Sequence, residues 1–152
     1  MSPRLDDRDF SQIIRLAPLV AIDLVIRARN GDILLGRRNN EPAKGYLFTL
    51  GGVVRKNESL EAAFRRIVHT ETGHEALMKD AHLLGVYEHL YDTNRYGDPT
   101  YGTHYVVAAY ELVLPYSEIR LDDQHCEFRW LSLAELMSSA DVHENVKAYF
   151  RP

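Results

Sequence analysis

The chain holds one cysteine among 152 residues, Cys126, so it can form no internal disulfide and no thiolate zinc cluster. It has no apolar run near the ~20 residues that a membrane-spanning helix needs. Its first residues, Met1 to Asp9, are polar and partly acidic and lack the apolar stretch of a signal peptide. A reducing, cytoplasmic setting is the expectation. Excess positive charge is also missing: 18 Lys and Arg face 22 Asp and Glu, a net charge of −4. That excludes a bulk electrostatic grip on nucleic acid, which needs a basic face. A phosphate ligand stays open, because a few cations in a cleft suffice. Low-complexity tracts, linkers and internal repeats are absent. An apolar fraction of 45% and a charged fraction of 26% are ordinary for a globular chain, and the length suits one domain over residues 1–152.

The pattern of residues gives a succession of elements. Asp6 to Arg15 reads as an amphipathic helix with Phe10, Ile13 and Ile14 on one side. Pro18 to Arg27 is rich in Val and Ile and predicts a strand; Asn30-Gly31 is a hairpin turn signal, and Asp32 to Arg37 is the partner strand. Asn39 to Gly45 reads as a loop, and Tyr46 to Leu50 as a short strand leading into Gly51-Gly52. Ser59 to Thr72 is the clearest helix, with Ser59 as N-cap, Leu60, Phe64, Ile67 and Val68 as its apolar stripe, and Gly73 as its stop. Two strands follow, Ala81 to Tyr91 and Thr103 to Leu114, joined by a polar loop from Asp92 to Gly102. Glu127 to Leu131 is a further strand, Ser132 to Glu135 a capping box, and Val142 to Phe150 the region of a last helix. Strands on both sides of a central helix, with more helix at the end, predict an α/β or α+β sandwich.

The chemistry gathers around that central helix. Gly52, Glu58, Arg66, Val68, Glu71 and Gly73 stand at the spacing G-x5-E-x7-R-E-U-x-E-E-x-G-U, the Nudix box, so the segment resembles a Nudix catalytic loop-helix. Ile67 and Thr70 stand where the box has glutamates, and His74 where it has an apolar residue. Positions 67, 70 and 71 are neighbours by i, i+3 and i+4 spacing. Three carboxylates there hold several divalent ions; Glu71 alone supports one Mg²⁺, which keeps waters and takes further oxygen ligands.

The same gaps occur in the GDP-mannose mannosyl hydrolases, and the chain resembles that Nudix family over nearly its whole length. The likeness runs through Asp9-Phe10, Ala17-Pro18-Leu19-Val20 into Asp23, Leu35-Gly36-Arg37-Arg38, Asn40, Pro42 and Gly45-Tyr46. It continues through Leu60 to Phe64, Gly85-Val86, His89, Tyr91-Asp92, Thr103 to Val107, Gln124-His125, Arg129-Trp130-Leu131, Asp141-Val142-His143 and Ala148-Tyr149-Phe150. The resemblance implies a Nudix-type α/β/α sandwich with a mixed sheet and a catalytic loop-helix, which cleaves GDP-mannose, and in part GDP-glucose, to GDP and free sugar, with water attacking the anomeric carbon with inversion. It implies His125 as general base, and Mg²⁺, with Mn²⁺ as an alternative, on the Gly51 carbonyl, Glu71 and Gln124. It places Arg38 at the diphosphate, with Arg37 adjacent, and Asp23 and Tyr105 near the sugar or diphosphate. Asp9 and Phe10 match a pair that a neighbouring subunit gives to the guanine, which implies a homodimer.

Glu58 and Arg66 either take part in catalysis or brace the turn before the helix. His89 and His104 are expected to support the core or the site, and the other tyrosines to pack the sheet. Where that family has Pro-Gly-Gly-Arg, this chain has Leu50-Gly51-Gly52-Val53, so the arginine after the glycines is missing; Arg55 is the nearest substitute. Losing one transition-state cation costs about 10²–10³ in rate. Two other functions stay open: a Nudix pyrophosphohydrolase attacking phosphorus, and a degenerate Nudix domain that binds a nucleotide without turnover.

Overall fold

A computed structural model describes residues 3–114 and 125–152, with residues 125 and 126 by their backbone. The chain opens with helix α1 (Asp7–Leu16), whose N-cap Asp6 accepts from the Asp9 amide at 2.8 Å. Strand β1 (Leu19–Arg27) runs into the Asn30-Gly31 turn, where Gly31 has φ 94° and the Asn30 side chain accepts from the Asp32 amide at 3.0 Å. Strand β2 (Ile33–Arg38) returns antiparallel, with Arg27 paired to Ile33. The expected strand at Tyr46 to Leu50 is divided instead. Strand β3 (Leu47–Phe48) pairs with β2, whereas β4 (Leu50–Val53) pairs antiparallel with β1 and takes both glycines into the ladder.

Helix α2 (Leu60–Thr72) begins and ends as its residues dictate. The Ser59 hydroxyl accepts from the Ala62 amide at 3.1 Å, and Gly73 closes the helix at φ 74° while donating to the His69 carbonyl at 2.9 Å. Phe64, Ile67 and Val68 are fully buried, but Leu60, in the first turn, is 46% exposed. Strands β5 (His82–Tyr91) and β6 (Thr103–Val113) form a long hairpin, and β6 runs parallel to β1. Strand β7 (His125–Leu131) starts two residues earlier than its apolar pattern indicates and pairs antiparallel with β2. Helix α3 (Leu133–Ser138) carries both halves of the Ser132–Glu135 capping box, and α4 (Glu144–Lys147) continues into a 3-10 turn over residues 148–150.

The result is a mixed sheet between two helical layers. β1 is buried on both faces, which explains its nearly unbroken apolar run. Ile22, Leu24 and Ile26 face the α2 side with Phe64, Ile67 and Val68. Val25 faces the other side, with Leu136, Val146 and Tyr149. Asp23 interrupts the run, and its side chain meets Tyr149 on that second face. Among the described residues, no helix is long and apolar enough to cross a membrane.

Candidate functional site

A cavity of about 440 Å³ opens at one end of the sheet, within the size range of small-ligand sites. Its floor is one face of three strands. Ala21 and Asp23 come from β1, His89 and Tyr91 from β5, and Thr103, Tyr105 and Val107 from β6. All are odd-numbered, as strand alternation requires. Register aligns them: His89 pairs with Tyr105, Tyr91 with Thr103, and Ala21 with Val107 across the parallel ladder. The walls are Gly51 to Val53 of β4, Thr70 and Glu71 in the last turn of α2, Phe10 and Ile14 of α1, and Arg38 with the loop after β2.

Gly51 permits a close approach. A Cβ there would lie 2.6 Å from Asp23 Oδ1 and 2.6 Å from the Ile22 carbonyl oxygen. At Gly52 a Cβ would lie 3.0 Å from Ile67 Cγ1, so this glycine rests directly on Ile67. Position 67 therefore belongs to the core beneath the glycines. Of the box positions 67, 70 and 71, only Thr70 and Glu71 reach the cavity. Glu71 is 4% exposed and sits in the last turn of its helix, where the backbone dipole is negative. A buried carboxylate there is suited to a cation. Its oxygen donors, with backbone carbonyls alongside, match a hard divalent ion. Among the described residues no group of three or more His, Cys, Asp or Glu side chains gathers that could hold a metal ion. Gln124 lies outside the described residues.

Asp23 is the other cavity carboxylate. Thr49 Oγ1 donates to Asp23 Oδ2 at 3.0 Å, and the Tyr149 hydroxyl donates to the same oxygen through a short bond. Burial nevertheless raises the Asp23 carboxyl to about 6, against the lowering pull of Tyr149, Thr49 and Arg38. His89 Nε2 lies 3.3 Å from the Tyr149 hydroxyl. Burial brings the His89 imidazole down to about 4, so it is neutral at pH 7. Because Tyr149 gives its proton to Asp23, His89 serves as donor to the phenol oxygen. This line from His89 through Tyr149 to Asp23 fixes the carboxylate from the rear.

The structure separates the two adjacent arginines. Arg38 lines the cavity, with its Nε donating to the Pro42 carbonyl at 2.8 Å. Arg37 points to the opposite side of β2 and does not line the cavity. It forms a short ion pair with Glu127, donates to the Gly45 carbonyl at 2.7 Å, and reaches Asp141 at 3.4 Å. The expected substrate contact from Arg37 is corrected by strand alternation. Glu58 and Arg66 do come together, but away from the cavity. Arg66 Nε and Nη2 grip the two Glu58 oxygens at 2.7 and 2.9 Å, Nη2 also donates to the Val53 carbonyl at 2.9 Å, and Glu58 accepts from the Arg55 amide at 2.9 Å. The pair ties the loop after β4 to α2, which is the bracing role. Arg66 holds the Glu58 carboxyl below its ordinary range.

Phe10 lines the cavity of its own chain, whereas Asp9 is exposed and does not. Seating Phe10 thus needs no second subunit: Ser11 and Tyr101 hydroxyls meet at 2.8 Å, and the Tyr96 hydroxyl donates to Asp7 at 3.1 Å, holding α1 against the loop between β5 and β6. Tyr105 lines the cavity, and burial raises its phenol above the ordinary value. His125 is known here by its backbone, which β7 places in register opposite Arg38. Val53 lines the cavity, and Arg55 does not. Sequence reasoning missed Arg4, Thr49 and Arg95 as cavity residues. A basic residue inside the polar loop from Asp92 to Gly102 was the available signal for Arg95.

A family model described as the NUDIX domain matches residues 17–151. The chain belongs to the NUDIX domain family. It is a Nudix hydrolase by that membership. It is 38% identical over 126 residues to the low-salt glycan biosynthesis protein Agl8 of Haloferax volcanii, a match covering 83% of this chain and 78% of that one. It is 34% identical over 137 residues to an ADP-ribose pyrophosphatase of Methanocaldococcus jannaschii, covering 90% and 75%. Among solved structures it resembles a MutT NUDIX hydrolase from Burkholderia pseudomallei, with a TM-score of 0.69, 27% identity, and 87% and 95% of the two chains covered.

Proposed function

We propose that this Nudix hydrolase cleaves GDP-mannose, and secondarily GDP-glucose, to GDP and free sugar by water attack at the anomeric carbon. The observation that carries the reading is the wall of α2. Ile67 is built into the core under Gly52, and Thr70 replaces the next carboxylate, so Glu71 is the one carboxylate the box face brings to the cavity. Attack on phosphorus by a multi-metal cluster is poorly served by that wall, whereas displacement at carbon needs a base and a neutralised leaving group. The kinship with a glycan biosynthesis protein agrees with a nucleotide-sugar substrate.

The residues divide the work. Arg38 binds the diphosphate with charge-assisted hydrogen bonds. Asp23, held by Tyr149 and Thr49, accepts from sugar hydroxyls, and Tyr105 orients the same part of the ligand. His125, opposite Arg38 in register, takes the proton from the attacking water; a neutral imidazole suits that task near pH 7. Phe10 stacks on the base from its own chain; in a homodimer, the Asp9-Phe10 pair of the neighbouring subunit is the alternative source of the guanine contacts. Glu71, the Gly51 carbonyl and Gln124 hold Mg²⁺. When bound, that ion supplies charge neutralisation on the departing diphosphate.

A second reading rests on the 34% kinship with an ADP-ribose pyrophosphatase, together with Asp23 and Glu71 both lining the cavity. It has water attacking phosphorus. Product analysis after incubation with GDP-mannose and MgCl₂ separates the two. GDP with mannose is the expected result; GMP with mannose 1-phosphate establishes the second. Binding without turnover identifies a nucleotide-binding domain that has lost catalysis. His125→Gln is expected to lower turnover strongly and leave Mg²⁺-nucleotide binding nearly intact.

A further inference from the structure

We propose that Arg95 is a diphosphate-binding residue, supplying from the β5–β6 loop the cation that is missing after Gly51-Gly52. The inference rests on the nucleoside-diphosphate reading above for its ligand class. The position where an arginine is expected is occupied by Val53, which lines the cavity and brings no charge. Arg55, the nearest alternative in sequence, is not among the cavity-lining residues, and its backbone is drawn back to Glu58. Arg95 does line the cavity, on the side bounded by α1 and the β5–β6 loop.

Its backbone is held in place by its neighbour. Asn94 is 1% exposed; its Nδ2 donates to the Asp98 and Tyr101 carbonyls at 2.7 and 2.8 Å, and its Oδ1 accepts from the Tyr96 amide at 3.0 Å. The guanidinium itself lies 5.8 Å from the Phe10 ring centroid and 5.5 Å from that of Tyr96. Aromatic faces orient a guanidinium without neutralising it, and they leave its N–H edge for an anion. Among the described residues Arg95 enters no ion pair, in contrast to Arg37 and Arg66, which are committed to Glu127 and Glu58. Arg38 and Arg95 both act on Tyr105, each favouring its phenolate form. Arg38 and Arg95 thus line one cavity together with Tyr105, and among the described residues neither arginine is in an ion pair. A diphosphate is the group of matching charge and span, and a pair of arginines suits its oxygens.

The test uses inorganic pyrophosphate with MgCl₂ as the probe, titrated calorimetrically into the full chain at low salt, with guanosine as the uncharged comparison. Arg95→Ala is expected to weaken pyrophosphate affinity by about tenfold or more, the worth of one charge-assisted contact. Arg95→Lys recovers only part, and guanosine affinity changes much less. Arg55→Ala leaves pyrophosphate affinity within about twofold. Equal losses for guanosine and pyrophosphate in Arg95→Ala would mean that the arginine only braces α1, and would overturn the proposal. So would a loss in Arg55→Ala instead, or failure of the unaltered chain to bind pyrophosphate. Absence of GDP-mannose turnover with Arg95-dependent pyrophosphate binding would overturn the substrate reading and leave this inference standing.

Discussion

Asp23→Asn should make the protein more stable at neutral pH. The Asp23 carboxyl is 8% exposed, and burial raises it from 3.8 to about 6. The folded chain therefore binds more protons than the unfolded chain between those two values. Stability contributed by this group is present below the unfolded pKa and is lost as pH rises through the folded one. Above about pH 6 the fold carries the whole cost of ionising a buried acid, ~3 kcal/mol for a shift of roughly two units. An asparagine keeps a carbonyl oxygen for the Thr49 and Tyr149 hydroxyls and has no charge to desolvate. The gain should reach ~3 kcal/mol at pH 8, or about 6–12 °C in Tm for a chain of this size. It should shrink toward zero near pH 4, where the native aspartic acid is already neutral. Thermal unfolding followed by circular dichroism in EDTA, at pH 4, 6 and 8, reads the difference directly. The same substitution should lower turnover of GDP-mannose, because the sugar loses its carboxylate acceptor. Equal melting shifts at pH 4 and pH 8, or a variant less stable than the parent at pH 8, would refute the reasoning.

Other perturbations follow from the same contacts. Gly51→Ala forces a methyl to 2.6 Å from the Ile22 carbonyl oxygen and Asp23 Oδ1, so urea unfolding should show a loss of about 1–3 kcal/mol. Glu58→Gln removes the charge that Arg66 grips with two nitrogens and should cost ~2–3 kcal/mol of stability, with KM little changed because the pair stands away from the cavity. The depressed Glu58 carboxyl adds stability above its unfolded pKa and loses it as pH falls through the folded value, so the Gln variant should show a flatter acid limb. Glu71→Gln should reduce Mg²⁺ affinity by at least about tenfold in calorimetry, since a hard cation loses its buried carboxylate, while the fold melts within a few degrees of the parent.

The local signals were legible because they are short-range. Ser59 and Gly73 bound α2, Asn30-Gly31 turns the first hairpin, and Ser132 with Glu135 closes a capping box, each through contacts within a few residues. The box spacing likewise located the cavity wall of Thr70 and Glu71. What escaped depends on partners far away in sequence. The strand at Tyr46 to Leu50 divides because β3 pairs with β2 and β4 with β1. The apolar stripe marked Ile67 as core, but that Gly52 rests on it depends on a strand 15 residues away. Arg37 and Arg38 look alike in sequence, yet one meets Glu127 on β7 and the other the cavity, as alternation along β2 dictates. The clamp on Asp23 joins residues 126 positions apart, Asp23 and Tyr149, which no local pattern reports.

The central claim is the atom that water attacks, and isotope placement tests it most directly. GDP-α-D-mannose and MgCl₂ are incubated with the chain in ¹⁸O-water, and the products are read by mass spectrometry and by proton NMR of the newly formed sugar. Attack at the anomeric carbon predicts unlabelled GDP and ¹⁸O-labelled mannose that appears first as the β anomer. Label on GMP or on mannose 1-phosphate would place the attack on phosphorus and contradict the account.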